Sequence, residues 1–148
     1  MKKFPIAFAA AASGFFLFYA AIYIGGILSA LAIPNQYFSW FGKQHVTLAL
    51  SILEMSTFAL PIFFLSSAWT ISTTLVLRRA HTITPLACLC GFVISWPIWS
   101  SYFGFSAQDI FSTSNNPLSI LNSFAAPGGI LFAAFLLNRF YPLKGQTL

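Results

Sequence analysis

VTLALSILEMSTFALPIFFLSSAWTISTTLVL, residues 46–77, carries one ionisable side chain, Glu54, in an otherwise uncharged run. About 20 apolar residues at a rise of about 1.5 Å each cross a bilayer core about 30 Å thick. This stretch is longer than that, so it reads as a membrane helix that must tilt, bend or protrude. Pro61 predicts a bend, because proline has no N–H to donate and its ring crowds the carbonyl of Thr57. Ser56, Thr57, Ser66 and Ser67 stand close enough to satisfy the backbone groups that such a bend frees.

The same reading extends in both directions. Toward the amino end, Pro34–His45 is PNQYFSWFGKQH, aromatic and weakly charged, which suits an outer loop at headgroup level. Before it, the apolar run from residue 5 to residue 33 follows Lys2 and Lys3. A signal peptide cut at Ala10, Ala11 and Ala12 would leave a very short apolar core, so a retained helix is expected instead. Toward the carboxyl end, Arg78 and Arg79 close the segment and Pro85 opens a third, residues 85–105, with Trp96, Trp99 and Tyr102 in its far half as an aromatic belt. Ser106–Asn116 is a polar outer loop, and a fourth helix is expected over 118–140, interrupted at Pro127, Gly128 and Gly129.

Composition agrees with that partition. The chain is 58% hydrophobic and 6% charged, whereas a soluble domain is about a quarter charged because its surface must be solvated. The net charge of +5 does not imply nucleic acid, because the cations punctuate apolar segments instead of gathering on one face. With the amino terminus inside, Lys2, Lys3, Arg78, Arg79, Arg139 and Lys144 fall on the cytoplasmic side and only Lys43 outside. The expected fold is thus an all-α integral membrane four-helix bundle. It forms one domain over residues 1–148 with both ends cytoplasmic, in a bacterial inner membrane.

Two kinds of candidate residue stand out. On the first helix Ala10, Gly14, Ala21, Gly25 and Ser29 share a sector, with Phe8, Phe15, Tyr19 and Tyr23 broadly opposite. Ala125, Gly129 and Ala133 repeat the device on the fourth. Small residues let membrane helices approach closely, so both stripes are expected to be packing faces. Pro61, Pro127 and Gly128 are expected hinges; the 127–129 break is of the kind that presents backbone groups to substrates in transporters, and a packing kink explains it equally well.

Glu54 is the acidic residue inside an apolar segment, where an ionisable group is costly enough to suggest function. Twenty-four residues before Arg78, it lies about 36 Å from the inner boundary in an upright helix, at the outer interface. Thr47, Ser51, Glu54 and Pro61 share one side, and Ser51 and Asn122 are the polar neighbours expected to join a proton- or ligand-coupling site. Cys88 and Cys90 project about 200° apart on a helix and do not jointly bind a metal. His45 and His81 fall at opposite membrane faces, and no nucleophile elbow, phosphate loop or HExxH occurs.

The expected function is non-catalytic and needs no cofactor. The chain acts through helix contacts as an accessory, assembly or immunity-type subunit, partnered by the lipid bilayer and by a second copy or another membrane protein. The alternative is a small oligomeric proton- or cation-coupled transporter or channel using Glu54.

Overall fold

The computed structural model describes residues 3–31, 37, 39, 45–77, 83–102 and 117–140. Among the described residues there are four helices and no strand. α1 is Lys3–Leu31. α2 covers residues 46–76 as Val46–Glu54, a π-helical turn Met55–Ala59, and Leu60–Val76. α3 is Ile83–Tyr102 and α4 is Pro117–Phe140.

These bounds differ from the sequence expectation in instructive places. α3 begins at Ile83, two residues before Pro85, so the proline sits inside the first turn, where its missing N–H would have had no helical partner. The expected interruption of the fourth helix is absent, because α4 runs unbroken through Pro127, Gly128 and Gly129. Gly129 is buried against α2, and Gly128 faces the Phe63 ring. Packing against a neighbour thus holds a helix that intrinsic propensity alone would weaken.

α1 lies chiefly on α3 and α2 chiefly on α4, with lighter contacts of α1 to α2 and of α3 to α4 closing the ring. The α1/α3 crossing is made at backbone distance. A Cβ on Gly14 would collide with the Cys88 carbonyl, and a Cβ on Gly91 would collide with the Ala11 carbonyl. The contact is reciprocal: each helix presents a glycine to the peptide plane of the other. Gly14 meets Cys88 and, further along both helices, Phe18 meets Phe92 and Trp96, so α1 and α3 run in the same direction. Ser13 lies beside Trp69 and Thr73 whereas Gly25 lies beside Phe58 and Ile62, so α2 runs opposite to α1.

The core that results is small and apolar, built from Leu17, Phe18, Ala21, Ile62, Phe92, Ala126 and Ile130. Phe18 meets Phe92 edge-on with ring centroids 5.1 Å apart, a favourable quadrupole arrangement. Outside it, large apolar side chains point away from the bundle on every helix, among them Phe8, Tyr23, Phe64, Ile94 and Phe135. α1 over Phe4–Leu28 and α2 over Leu48–Val76 are long and apolar enough to cross a membrane, and Ile83–Ile98 and Phe124–Phe140 are shorter apolar stretches.

The two glycine classes differ in a measurable way. Gly14 and Gly91 have a carbonyl where a side chain would go, but a Cβ on Gly26 meets nothing within 4 Å. Gly14→Leu is expected to destabilise the bundle by about 3 kcal/mol or more, at or above the upper end of ordinary overpacking, because backbone gives way less readily than side chains. Gly26→Leu is expected to be neutral within about 0.5 kcal/mol, as for substitutions at an unconstrained surface. Denaturant unfolding of the detergent-solubilised protein measures both, and equal costs at the two positions would refute the crossing.

Candidate functional site

Polar side chains interrupt this apolar interior on α3, at Thr84 and Ser95, and in two larger regions on α2. The larger is a seam of hydroxyls in the Leu60–Val76 half, where Ser66, Ser67, Thr70 and Thr74 are buried. Ser66 Oγ donates to the Ile62 carbonyl at 2.8 Å, Thr70 Oγ1 to the Ser66 carbonyl at 2.8 Å and Thr74 Oγ1 to the Thr70 carbonyl at 2.8 Å. Each hydroxyl thereby spends its proton on the turn before it, the usual way such side chains are accommodated inside a helix.

Three links carry the seam to other helices. Ser67 Oγ, 2.7 Å from its own Phe63 carbonyl, also lies 3.0 Å from the Gly129 carbonyl of α4. On the α1 side, Trp69 donates its indole N–H to Ser13 Oγ at 2.7 Å, and Ser13 shares a hydrogen bond with Thr73 Oγ1 at 3.0 Å. Thr70 Oγ1 is 3.9 Å from Cys88 Sγ of α3. One helix face therefore reaches all three neighbours through polar atoms.

The second region surrounds Glu54, which is half-buried and directly precedes the π turn. Ser51, one turn earlier on the same side, is buried, and Tyr37 donates its hydroxyl to the Ala49 carbonyl at 2.8 Å. Glu54 and Ser51 both interact with neighbouring groups. Phe58, Ile62 and Phe63 form an apolar layer between this region and the hydroxyl seam. Glu54 and Ser66 are twelve residues apart, about 18 Å along a helix, so they do not form one site.

The other residues singled out in the sequence are distributed as follows. Gly14, Ala21 and Gly25 of α1 and Ala125, Gly129 and Ala133 of α4 are buried. Gly25 packs on Phe58 and Ile62, and Gly129 on Phe63, Ser66 and Ser67. Pro61, Pro127 and Gly128 are half-buried. The side chains of Ser29, Thr47, Trp99 and Asn122, and the whole of His81 and Asp109, lie outside the described residues. Cys88 is buried and Cys90 exposed, both as free thiols, and His45 is exposed. Among the described residues no three His, Cys, Asp or Glu side chains gather as a metal site.

The hydroxyl seam has a signal in the sequence that is distinct from the proline and glycine signals. Its signal was available, since Ser66, Thr70 and Thr74 recur every four residues with Thr73 beside them. In an apolar helix, that spacing marks a polar stripe along one face.

The chain matches no known protein family, no curated protein and no solved structure.

The seam leads to one quantitative expectation. Removing the Ser13 hydroxyl leaves the Trp69 indole N–H without its acceptor in an apolar interior. Hydrogen bonds between membrane helices are worth about 0.6 kcal/mol on average and up to about 1.7. A double-mutant cycle of Ser13→Ala with Trp69→Phe is expected to give a coupling of about 0.5–1.5 kcal/mol. Additive effects would show that the bond contributes nothing.

Proposed function

We propose that this chain is a four-span membrane protein of a bacterial inner membrane with both termini cytoplasmic. In this reading it works without catalysis, through helix contacts with a second copy or with another membrane protein, as an accessory, assembly or immunity-type subunit.

The observation that carries this reading is the exposed apolar periphery. Serine and threonine hydroxyls are buried beside a small apolar core, while large apolar and aromatic side chains stand exposed on the periphery. Only 22% of the most apolar stretch of either long helix is buried, where the core helix of a soluble protein would be mostly covered. Large apolar side chains stand exposed on every helix, whereas a soluble monomer rarely exposes a large contiguous apolar patch. The length of the helices is compatible with spanning, since the 20 residues of α3 rise about 30 Å and the 24 of α4 about 36 Å. The distribution of Lys and Arg gives the orientation.

Support for a contact role comes from the interior. Its hydroxyl protons are committed to carbonyls and neighbouring side chains, and its small residues are spent on close approach. Such an interior holds helices in register and leaves function to the exposed faces.

Compartment-reporting fusions at positions 40, 81, 112 and 148 are expected to read outside, inside, outside and inside. A carboxyl terminus reporting outside would rule out the even-span topology. Light scattering of the purified full chain, with the detergent mass subtracted, is expected to give an oligomer or a stable complex. A monomer in detergent and in nanodiscs alike would count against the contact role.

One observation favours a second reading, a proton- or cation-coupled transporter. Glu54 is half-buried and abuts a π turn, and such turns recur at functional sites. If it couples transport, Glu54→Gln is expected to leave folding intact and abolish proton flux into liposomes carrying the reconstituted protein. Unchanged flux, or no flux in the native protein, would eliminate this reading.

A further inference from the structure

α2 is two helical segments joined by one extra residue. Across Met55–Ala59 the chain winds as a π turn, and the Leu60 amide donates to the Met55 carbonyl five residues back. A π turn is an α-helix with one residue inserted, so the face pattern before it is offset by about 100° from the pattern after it. Its position follows from Pro61, which offers no N–H to the carbonyls of Ser56 and Thr57. The turn is stabilised locally: Ser56 Oγ donates to the Ile52 and Leu53 carbonyls at 2.8 and 3.0 Å, and Thr57 Oγ1 to the Leu53 carbonyl at 2.7 Å.

The segments on either side of the turn are held differently. Leu60–Val76 is pinned to α4 by Ser67 and Gly129 and to α1 by Trp69 and Ser13, contacts that fix one rotation about its axis. In Val46–Glu54 the side chains of Leu48, Ile52 and the adjoining Met55 are exposed, and the buried ones are small, Ala49 and Ser51. The Tyr37 bond goes to a backbone carbonyl, which fixes position along the helix without depending on which side chain faces inward. Ser51 and Glu54 each interact with other groups in the present register.

From these observations we infer that Met55–Ala59 is a register switch. The π turn moves toward the amino end into residues 50–54, so that Ile52 turns with it and Glu54 and Met55 join the register of Leu60–Val76 while the buried Ala49 stays in place. Counting at about 100° per residue, Glu54 then takes the position now held by Leu53, and Met55 takes the position now held by Glu54. The carboxylate leaves the side it shares with Ser51, and a flexible thioether fills its place. Migration of one inserted residue exchanges one set of helical hydrogen bonds for another of equal number. The switch deepens the Glu54 reading but does not rest on it, since the two outcomes are read from different experiments.

Spin labels placed through Ile52→Cys and Leu131→Cys, both exposed sites, in a Cys88→Ala/Cys90→Ala full chain test the switch by pulsed dipolar spectroscopy. Two distance populations are expected, collapsing to one when Ser56 is deleted, because the deletion removes the inserted residue. A single population in the full-length chain overturns the inference whatever the deletion does, and two populations that survive the deletion overturn it as well. The pair Ser72→Cys and Leu131→Cys, both outside the moving part, reports whether the deleted chain is folded. If it is not, Pro61→Ala replaces it: by restoring an N–H it should shift the ratio of the two populations at least threefold, and an unchanged ratio defeats the switch.

Discussion

The reciprocal glycine contact between α1 and α3 is the constraint from which the arrangement of the other helices follows. Gly14 and Gly91 bring two backbones so close that no side chain separates them. This brings Phe18 onto Phe92 and fixes the direction of α3 relative to α1. α2 must then lie beside this pair with its serine and threonine face inward, where Ser13 and Cys88 receive it. α4 closes the ring on the remaining side of α2, at the height where Gly129 leaves space for Ser66 and Ser67. Glycine has the cost of lost conformational entropy in a helix, about 1 kcal/mol relative to alanine, and here the close approach offsets it with backbone-level packing.

Backbone satisfaction is the second constraint, and α2 meets it twice by the same means. Near Pro61 the hydroxyls of Ser56 and Thr57 take up carbonyls of Ile52 and Leu53, and beyond it Ser66, Thr70 and Thr74 repeat the pattern turn by turn. The first group accommodates a disrupted turn. The second has no disruption to accommodate, so its value lies in the oxygen lone pairs it leaves for other helices, as Thr70 does beside Cys88 of α3. In a low-dielectric interior such contacts are stronger than in water and an unpaired one is costly, which ties helix choice to polar matching as well as to shape.

Much of this was legible along the chain, and what was not follows from the physics of each signal. Long apolar runs gave four helices within a few residues of their bounds, because helix length and hydropathy are properties of one segment. The Gly14–Gly25 stripe marked a face of α1. A face does not name its partner, and nothing in residues 4–33 tells that Gly14 meets α3 while Gly25 meets α2. Pro61 marked a distortion, yet whether it becomes a kink or a π turn depends on hydroxyls upstream and on how the following half is clamped. Pro127, Gly128 and Gly129 looked like an interruption from local propensity, and the neighbouring helix overrides it. The Ser66–Thr74 ladder is hidden among hydroxyls that also suit carbonyls freed near Pro61, and only its four-residue period separates the two roles.

The separation of Glu54 from the hydroxyl seam bears on what kind of protein this sequence makes. A conduit through the bundle would need polar groups spaced continuously from one face to the other, since an ion or polar solute stripped of water must find a replacement at every step. Here Phe58, Ile62 and Phe63, with Phe18 and Phe92 nearby, stand between the carboxylate and the seam. That layer favours a rigid body whose polar atoms serve its own helices, and it confines any chemistry of Glu54 to the end of α2 where the carboxylate sits. A coupling role would therefore require movement of α2 itself. The place where α2 has a spare residue with which to move is the π turn next to that carboxylate.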